Sequence, residues 1–372
     1  MKGVQITSDI SRRLPSKNFE EGSQISIDIP RDSVFKHLQI RLSGSVVTTY
    51  ASGTPVADDT ATMNKLVNSI DIVSNGSFTI KNVTPWMMHV QQLYASSIFG
   101  VRRASAGAAA VEFPTVDAKF TYGTTTQVTS VVESILISFE NVLAGKGRMN
   151  TLWDTRGLSS AEMKISTNSF SNLTGFGNTA PVVYSSNTMK FEVETIETQN
   201  LPQNVFFSAW KQTTKQVDFS AQASDFLVDV NRGNFIQGIM LEARDGAAGS
   251  ATTATGKQLS NTLLTDIKLI INGVNFIQNT KFQDLQDKNR NRYGLSAAYA
   301  SDKSILDGIA YMDLLTPASG EKYGALSTAQ NVQAPAVDQV QLALSSSGTA
   351  DYTSTASVRI LTNEIVQPVT QK

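Results

Sequence analysis

Apolar and polar residues alternate with period two along most of this chain, the signature of strands that bury one face. In Ile25-Ser26-Ile27-Asp28-Ile29 the odd positions are apolar, and Pro30-Arg31-Asp32 closes the run. In Leu38-Gln39-Ile40-Arg41-Leu42 the even positions are apolar. Further strands are expected at Val67–Val73, Ser77–Ile80, Val116–Tyr122, Val132–Phe139, Met163–Thr167 and Met189–Thr198. The later part of the chain adds strands at 226–230, 235–243, 264–271, 274–278, 309–314, 339–344 and 356–366. Asn-Gly dipeptides at Asn75-Gly76 and Asn272-Gly273 predict tight hairpins, because both central turn positions need positive φ. Helical spacing is confined to two short runs, Pro85–Ser97 and Lys281–Arg290, the first opened by Thr84 as N-cap and Pro85 at the first helical position.

The pattern repeats itself. Ile27–Leu42 aligns with Val228–Ala243 at a spacing of 201 residues, with Asp28/Asp229 and Arg31/Arg232 identical and the apolar parity preserved. Asn64–Gly76 aligns with Asn261–Gly273 at a spacing of 197, and the same hairpin turn and a helical run follow in both copies. Terminal strands at Phe191–Glu194 and Val358–Leu361 close the halves. Self-similarity at whole-domain spacing means two similar domains side by side. About eight strands per half with loops of uneven length suit two face-to-face sheets in each, so the fold class is all-β: two tandem jelly-roll β-sandwiches with a short helix inserted in each. The second half shows seven clear strands; the eighth falls in Lys322–Val332, or the topology of that half differs. The boundaries read as an N-terminal arm at 1–17, a first jelly roll at 18–200, a linker at 201–216 and a second jelly roll at 217–372. Small-residue segments at Gly100–Ala110, Gly246–Gly256 and Ser345–Ser354 read as exposed loops.

Composition narrows the chemistry. The 372 residues contain no cysteine and two histidines, His37 and His89, so disulfides, thiolate nucleophiles and Cys-ligated metals are excluded. The formal net charge of -1 argues against a protein whose main work is gripping nucleic-acid backbone. The start of the chain has no apolar run of a secretory signal, and no stretch approaches the ~20 apolar residues of a membrane-spanning helix, so cytoplasmic synthesis is expected. Arg12, Arg13 and Lys17 give the first segment a basic bias, read either as a solvated chain end or as an arm touching phosphate on an inner face. Gly145-Lys146-Gly147 lacks the spacing of a phosphate loop. His37 lies on the polar parity of a strand and His89 within a helix beside Met87 and Met88, neither with a partner at metal spacing. Glu192, Glu194 and Glu197 read as a solvated face, and the sequons at Asn75, Asn82 and Asn172 as incidental. No catalytic, cofactor or metal site is expected, and the chain reads as a non-enzyme.

This duplicated, cysteine-free pattern resembles the double jelly-roll major capsid proteins of tailless icosahedral viruses, among them the tectivirus, corticovirus, autolykivirus and finnlakevirus coat proteins. The residues that carry the resemblance are Ile267–Ile277 with Ile70–Ile80, and Asp229–Ile236. The resemblance implies a homotrimer of pseudo-hexagonal outline that tiles an icosahedral shell in the virion of a bacteriophage. It further implies partners limited to neighbouring capsomers, penton and minor capsid proteins, and a genome or internal membrane at the inner face, with no small-molecule substrate. The alternatives weighed are an exported carbohydrate-binding or adhesin sandwich pair, which needs exposed aromatic platforms, and a bicupin-like metalloenzyme, which needs more histidines than two.

Overall fold

The computed structural model describes residues 9–50, 62–94, 126–143, 148–173, 182–198, 201, 206–246, 259–293, 308–314, 326–327, 337–350, 352 and 355–366. The expected strand Val116–Tyr122, the Gly145–Gly147 loop, the Gly100–Ala110 loop and residues 247–256 lie outside them.

The first half contains β1 (Asp9–Arg13), β2 (Lys17–Asn18), β3 (Gln24–Asp28), β4 (Val34–Tyr50), α1 (Thr62–Leu66), β5 (Val67–Ser74), β6 (Phe78–Val83), α2 (Pro85–Tyr94), β7 (Gln127–Ser138), β8 (Trp153–Asp154), β9 (Ala161–Thr167), β10 (Val182–Asn187) and β11 (Lys190–Thr198). The second contains β12 (Ala209–Phe219), β13 (Phe226–Asp229), β14 (Phe235–Arg244), β15 (Leu264–Ile271), β16 (Val274–Lys281), α3 (Phe282–Tyr293), β17 (Ile309–Asp313), β18 (Leu326–Ser327), β19 (Val340–Ser346) and β20 (Ala356–Val366). In the first sandwich a sheet built on β1-β11-β4 with β7 faces the run β6-β5-β9-β3. In the second, β17-β14-β20-β12 faces the four strands β13-β19-β15-β16. Alternation places Leu38, Ile40 and Leu42 of β4 and Ile70 and Ile72 of β5 in one core, and Ile239, Leu241, Ile267 and Leu269 in the other.

Strand registers establish the duplication residue by residue. Ile27 pairs with Met163 and Ile70 with Ile165 in the first sandwich; Val228 pairs with Leu342 and Ile267 with Leu344 in the second. Even an irregularity is copied. The β4–β11 ladder skips Lys36 and the β14–β20 ladder skips Gln237, which stand 201 residues apart. The missing strand of the second half is the two-residue β18, which pairs with Phe235 and Ile236 as β8 pairs with Val34 and Phe35.

Two expected boundaries need correction. Residues 9–13 are no free arm: β1 pairs antiparallel with β11 from Asp9↔Thr198 to Arg13↔Glu194. Residues 209–216 are no linker: they begin β12, which pairs with β20 from Ala209↔Val366 onward. Both errors concern the same element, since β1 and the start of β12 are equivalent opening strands 201 residues apart. Sheet hydrogen bonds made Asp-Ile-Ser-Arg-Arg a strand although its side chains mostly face water.

The two sandwiches share a continuous sheet. β12 lies between β20 of its own half and β6 of the other, running parallel to β6 with Gln212↔Lys81 and Thr213↔Asn82. The first core accordingly includes Trp210, Met240, Tyr311, Leu361 and Ile365 from the second half.

Candidate functional site

The four expected turn residues adopt the geometry that Asn-Gly chemistry favours. Asn75 and Gly76 have φ of 52° and 73°, and Asn272 and Gly273 have 49° and 76°. Each asparagine also clamps the loop before the next strand. Asn75 donates its N–H to Ser160 O at 2.9 Å, and its Oδ1 accepts the Ser159 N–H at 2.8 Å. Asn272 donates to Gln339 O at 3.0 Å, and its Oδ1 accepts the Asp338 N–H at 2.8 Å. The identical arginines act on those same loops. Arg31 donates to the carbonyls of Leu158 and Ser159, and Arg232 to those of Val337 and Asp338. A buried glutamate repeats as well: Ser33 donates to Glu197, and Asn234, its counterpart, to Glu364. These residues are architectural.

The expected basic arm is tied to the sandwich. Arg12 reaches Asp32 at 3.3 Å and the buried Glu197 at 3.2 Å. Arg13 extends outward with its side chain 82% exposed and meets Glu194 at 3.9 Å, while Lys17 is exposed on β2. Glu192 and Glu194 face outward and Glu197 inward, so the three do not converge. Hydrogen bonding from Lys190 holds the Glu192 carboxyl below its ordinary range.

The joint between the sandwiches has the most specific chemistry. Lys81, fully buried, donates to Gln212 Oε1 at 2.7 Å and sits 4.0 Å from the centre of the Trp210 ring. Burial pushes its ammonium well below the usual lysine range, and the electron-rich indole face partly replaces lost water. Gln212 donates onward to Gln91 Oε1 at 3.0 Å on α2 and to Asn363 Oδ1 at 2.8 Å on β20. Tyr94 of α2 packs edge-on against Tyr293 and Tyr311 and donates to Asn289 Oδ1 at 3.2 Å. Composition did not announce these residues. Lys81 and Gln212 read as solvent-facing in a linear pattern, and Trp210 lay in the supposed linker.

Elsewhere the described residues offer little for catalysis. His89 is buried in α2 with Nε2 3.4 Å from Ser134 O, and His37 places Nδ1 3.1 Å from Ser138 Oγ. Burial lowers both histidines to about 4, and Lys36 adds to the effect at His37. Among the described residues no three His, Asp or Glu side chains group as metal ligands. A cleft of about 220 Å³ beside the joint is lined mainly by apolar residues, including Phe78, Phe139, Trp153 and Trp210.

No protein-family model and no curated protein matches the sequence. The structure, in contrast, matches solved viral coat proteins over nearly its whole length. The STIV major capsid protein (from Sulfolobus turreted icosahedral virus) is 15% identical with a TM-score of 0.58, covering 97% of this chain and 98% of that one. Major capsid protein P2 of bacteriophage PM2 is 12% identical with a TM-score of 0.54, covering 97% and 99%. The mavirus major capsid protein is 11% identical with a TM-score of 0.51, covering 98% and 90%. The chain therefore has the double jelly-roll fold found in viral major capsid proteins.

Proposed function

We propose that this chain is the major capsid protein of an icosahedral virus, a structural subunit and not an enzyme, which forms a homotrimeric, pseudo-hexagonal capsomer in the virion. The carrying observation is the register-exact duplication joined by the parallel β6–β12 seam, within a fold shared end to end with viral coat proteins. Two sandwiches joined head to tail present one kind of edge at one flank and its complement at the other. Repeating that contact by a rotation that closes gives a ring. Three chains then supply six similar sandwiches, an outline suited to tiling with quasi-repeated contacts. Neighbouring capsomers, penton and minor capsid proteins, and a genome or membrane at the inner face are the partners this reading implies.

Mass photometry and negative-stain microscopy of the purified chain test the reading. The expected result is a species near 121 kDa, three chains of 40.2 kDa, seen as particles of hexagonal outline. A monomer that persists at high concentration would refute it.

A further inference from the structure

Resting on the capsomer reading, we infer that the contact between copies is a repeat of the internal seam: β16 of one copy adds in parallel to β1 of the next, with Asp284 of the first facing Arg13 of the second. The occupant of both free edges is thus a second copy of this chain.

The placement follows from the repeat. β1 is the counterpart of β12 and β16 that of β6, the two strands that meet at the internal seam. Among the described residues, β1 pairs on its inner side with β11 and β16 with β15, and no strand pairing covers the other side of either. Bare strand edges invite pairing with another chain. At the internal seam Lys81 and Asn82 stand opposite Gln212 and Thr213. The equivalent register sets Gln278 and Asn279 opposite Ser11 and Arg12.

Two observations besides the register favour occupation. Val274 and Phe276 on β16 are 69% and 58% exposed, an apolar pair on an unpaired edge strand. The second is charge complementarity. At the internal seam Thr214 Oγ1 lies 3.9 Å from Met87 Sδ at the start of α2. The counterpart of Met87 is Asp284 in the first turn of α3, and the counterpart of Thr214 is Arg13. Both are exposed, and they carry opposite charge. The helices differ accordingly. α2 is buried against the second sandwich, whereas α3 leaves Gln283, Asp284, Asp287 and Lys288 exposed. The seam within a chain is apolar and permanent; the seam between chains is polar and adjustable.

Charge exchange in the full chain tests this. Arg13→Asp and Asp284→Arg are each expected to raise the concentration at which trimers dissociate by about tenfold or more, since like charges then oppose each other at every contact. The double variant Arg13→Asp/Asp284→Arg is expected to return to within about threefold of the parent. Amide hydrogen exchange adds a readout independent of charge, with 9–13 and 274–281 slowing on association. A trimeric parent whose single variants dissociate no more readily, whose double variant is no better than the singles, or whose two edges exchange equally fast in trimer and monomer would overturn the assigned contact while leaving the capsomer reading intact. A parent chain that never associates would instead overturn the capsomer reading itself. Thermal melting of the variants separates lost association from lost folding.

Discussion

Asn75 and Asn272, 197 residues apart, each accept a loop N–H on Oδ1 at 2.8 Å while holding the backbone at positive φ. Each therefore does two jobs at once. Replacing either by alanine is expected to cost about 1–3 kcal/mol, from the unfavourable φ and the lost hydrogen bonds. Glycine should recover the conformational part alone and fall between. Because the two turns lie in different sandwiches, the double alanine variant should lose the sum of the single losses. Thermal unfolding of the four proteins checks this, and equal stability of Asn75→Gly and Asn75→Ala would refute the conformational role.

The joint gives a second test. Trp210→Ala removes a fully buried ring that spans the two sandwiches, at an expected cost of about 3–5 kcal/mol. Lys81→Met should be far milder than the tryptophan change, because methionine keeps the packing and ends the need to bury a cation, at the loss of one hydrogen bond to Gln212. Limited proteolysis near residues 201–208 should accelerate in Trp210→Ala and stay near the parent rate in Lys81→Met. The reverse order would show that the lysine, and not the ring, holds the seam.

Gly44 should resist substitution. Its φ is 142°, and a β-carbon there would stand 2.6 Å from Met189 Cα and from Thr188 O, both backbone atoms that cannot rotate away. Gly44→Ala is expected to destabilise the first sandwich by several kcal/mol, whereas Gly22→Ala, at a φ of 58° with open space around it, should cost about 1 kcal/mol. Denaturant midpoints of the two variants measure the contrast, and equal midpoints would contradict it.

Acid should weaken the fold through its histidines. Both have folded pKa values near 4 against an ordinary 6.5, so the unfolded chain binds more protons between those values. Stability then rises with pH through that window and is lost as pH falls from 6.5 toward 4, by about 2 kcal/mol per histidine at pH 5. His89→Gln should flatten the decline between pH 7 and 5, as read from thermal midpoints. An unchanged slope would place the acid sensitivity elsewhere.

Much of this architecture was legible in the sequence because strands with one buried face write their parity into it. The alternation in Leu38–Leu42, the twin Asn-Gly turns and the Thr84-Pro85 helix start all correspond to observed elements, and Thr84 Oγ1 accepts the Met87 N–H at 3.4 Å. β1 and the first part of β12 escaped notice for a common reason. Their order comes from neighbouring strands, not from an apolar face, so Asp9–Arg13 and Lys211–Lys215 look like polar linkers. Lys81 escaped for the opposite reason: its surroundings come from Trp210 and Phe139, remote in sequence, and a lone lysine gives no sign of a buried aromatic partner. The assignment of Arg12 to a phosphate-seeking arm failed because Glu197 and Asp32, distant in sequence, neutralise it.

The shared sheet has a mechanical consequence. Swinging one lobe against the other would require stripping main-chain hydrogen bonds from β6 and wetting the Trp210 ring, so the two lobes tumble as one stiff plank. When such a plank is immobilised against others, translational and rotational freedom is surrendered once for two lobes instead of twice. Fusing the copies thereby lowers the entropic barrier to building a ring before any new contact is made.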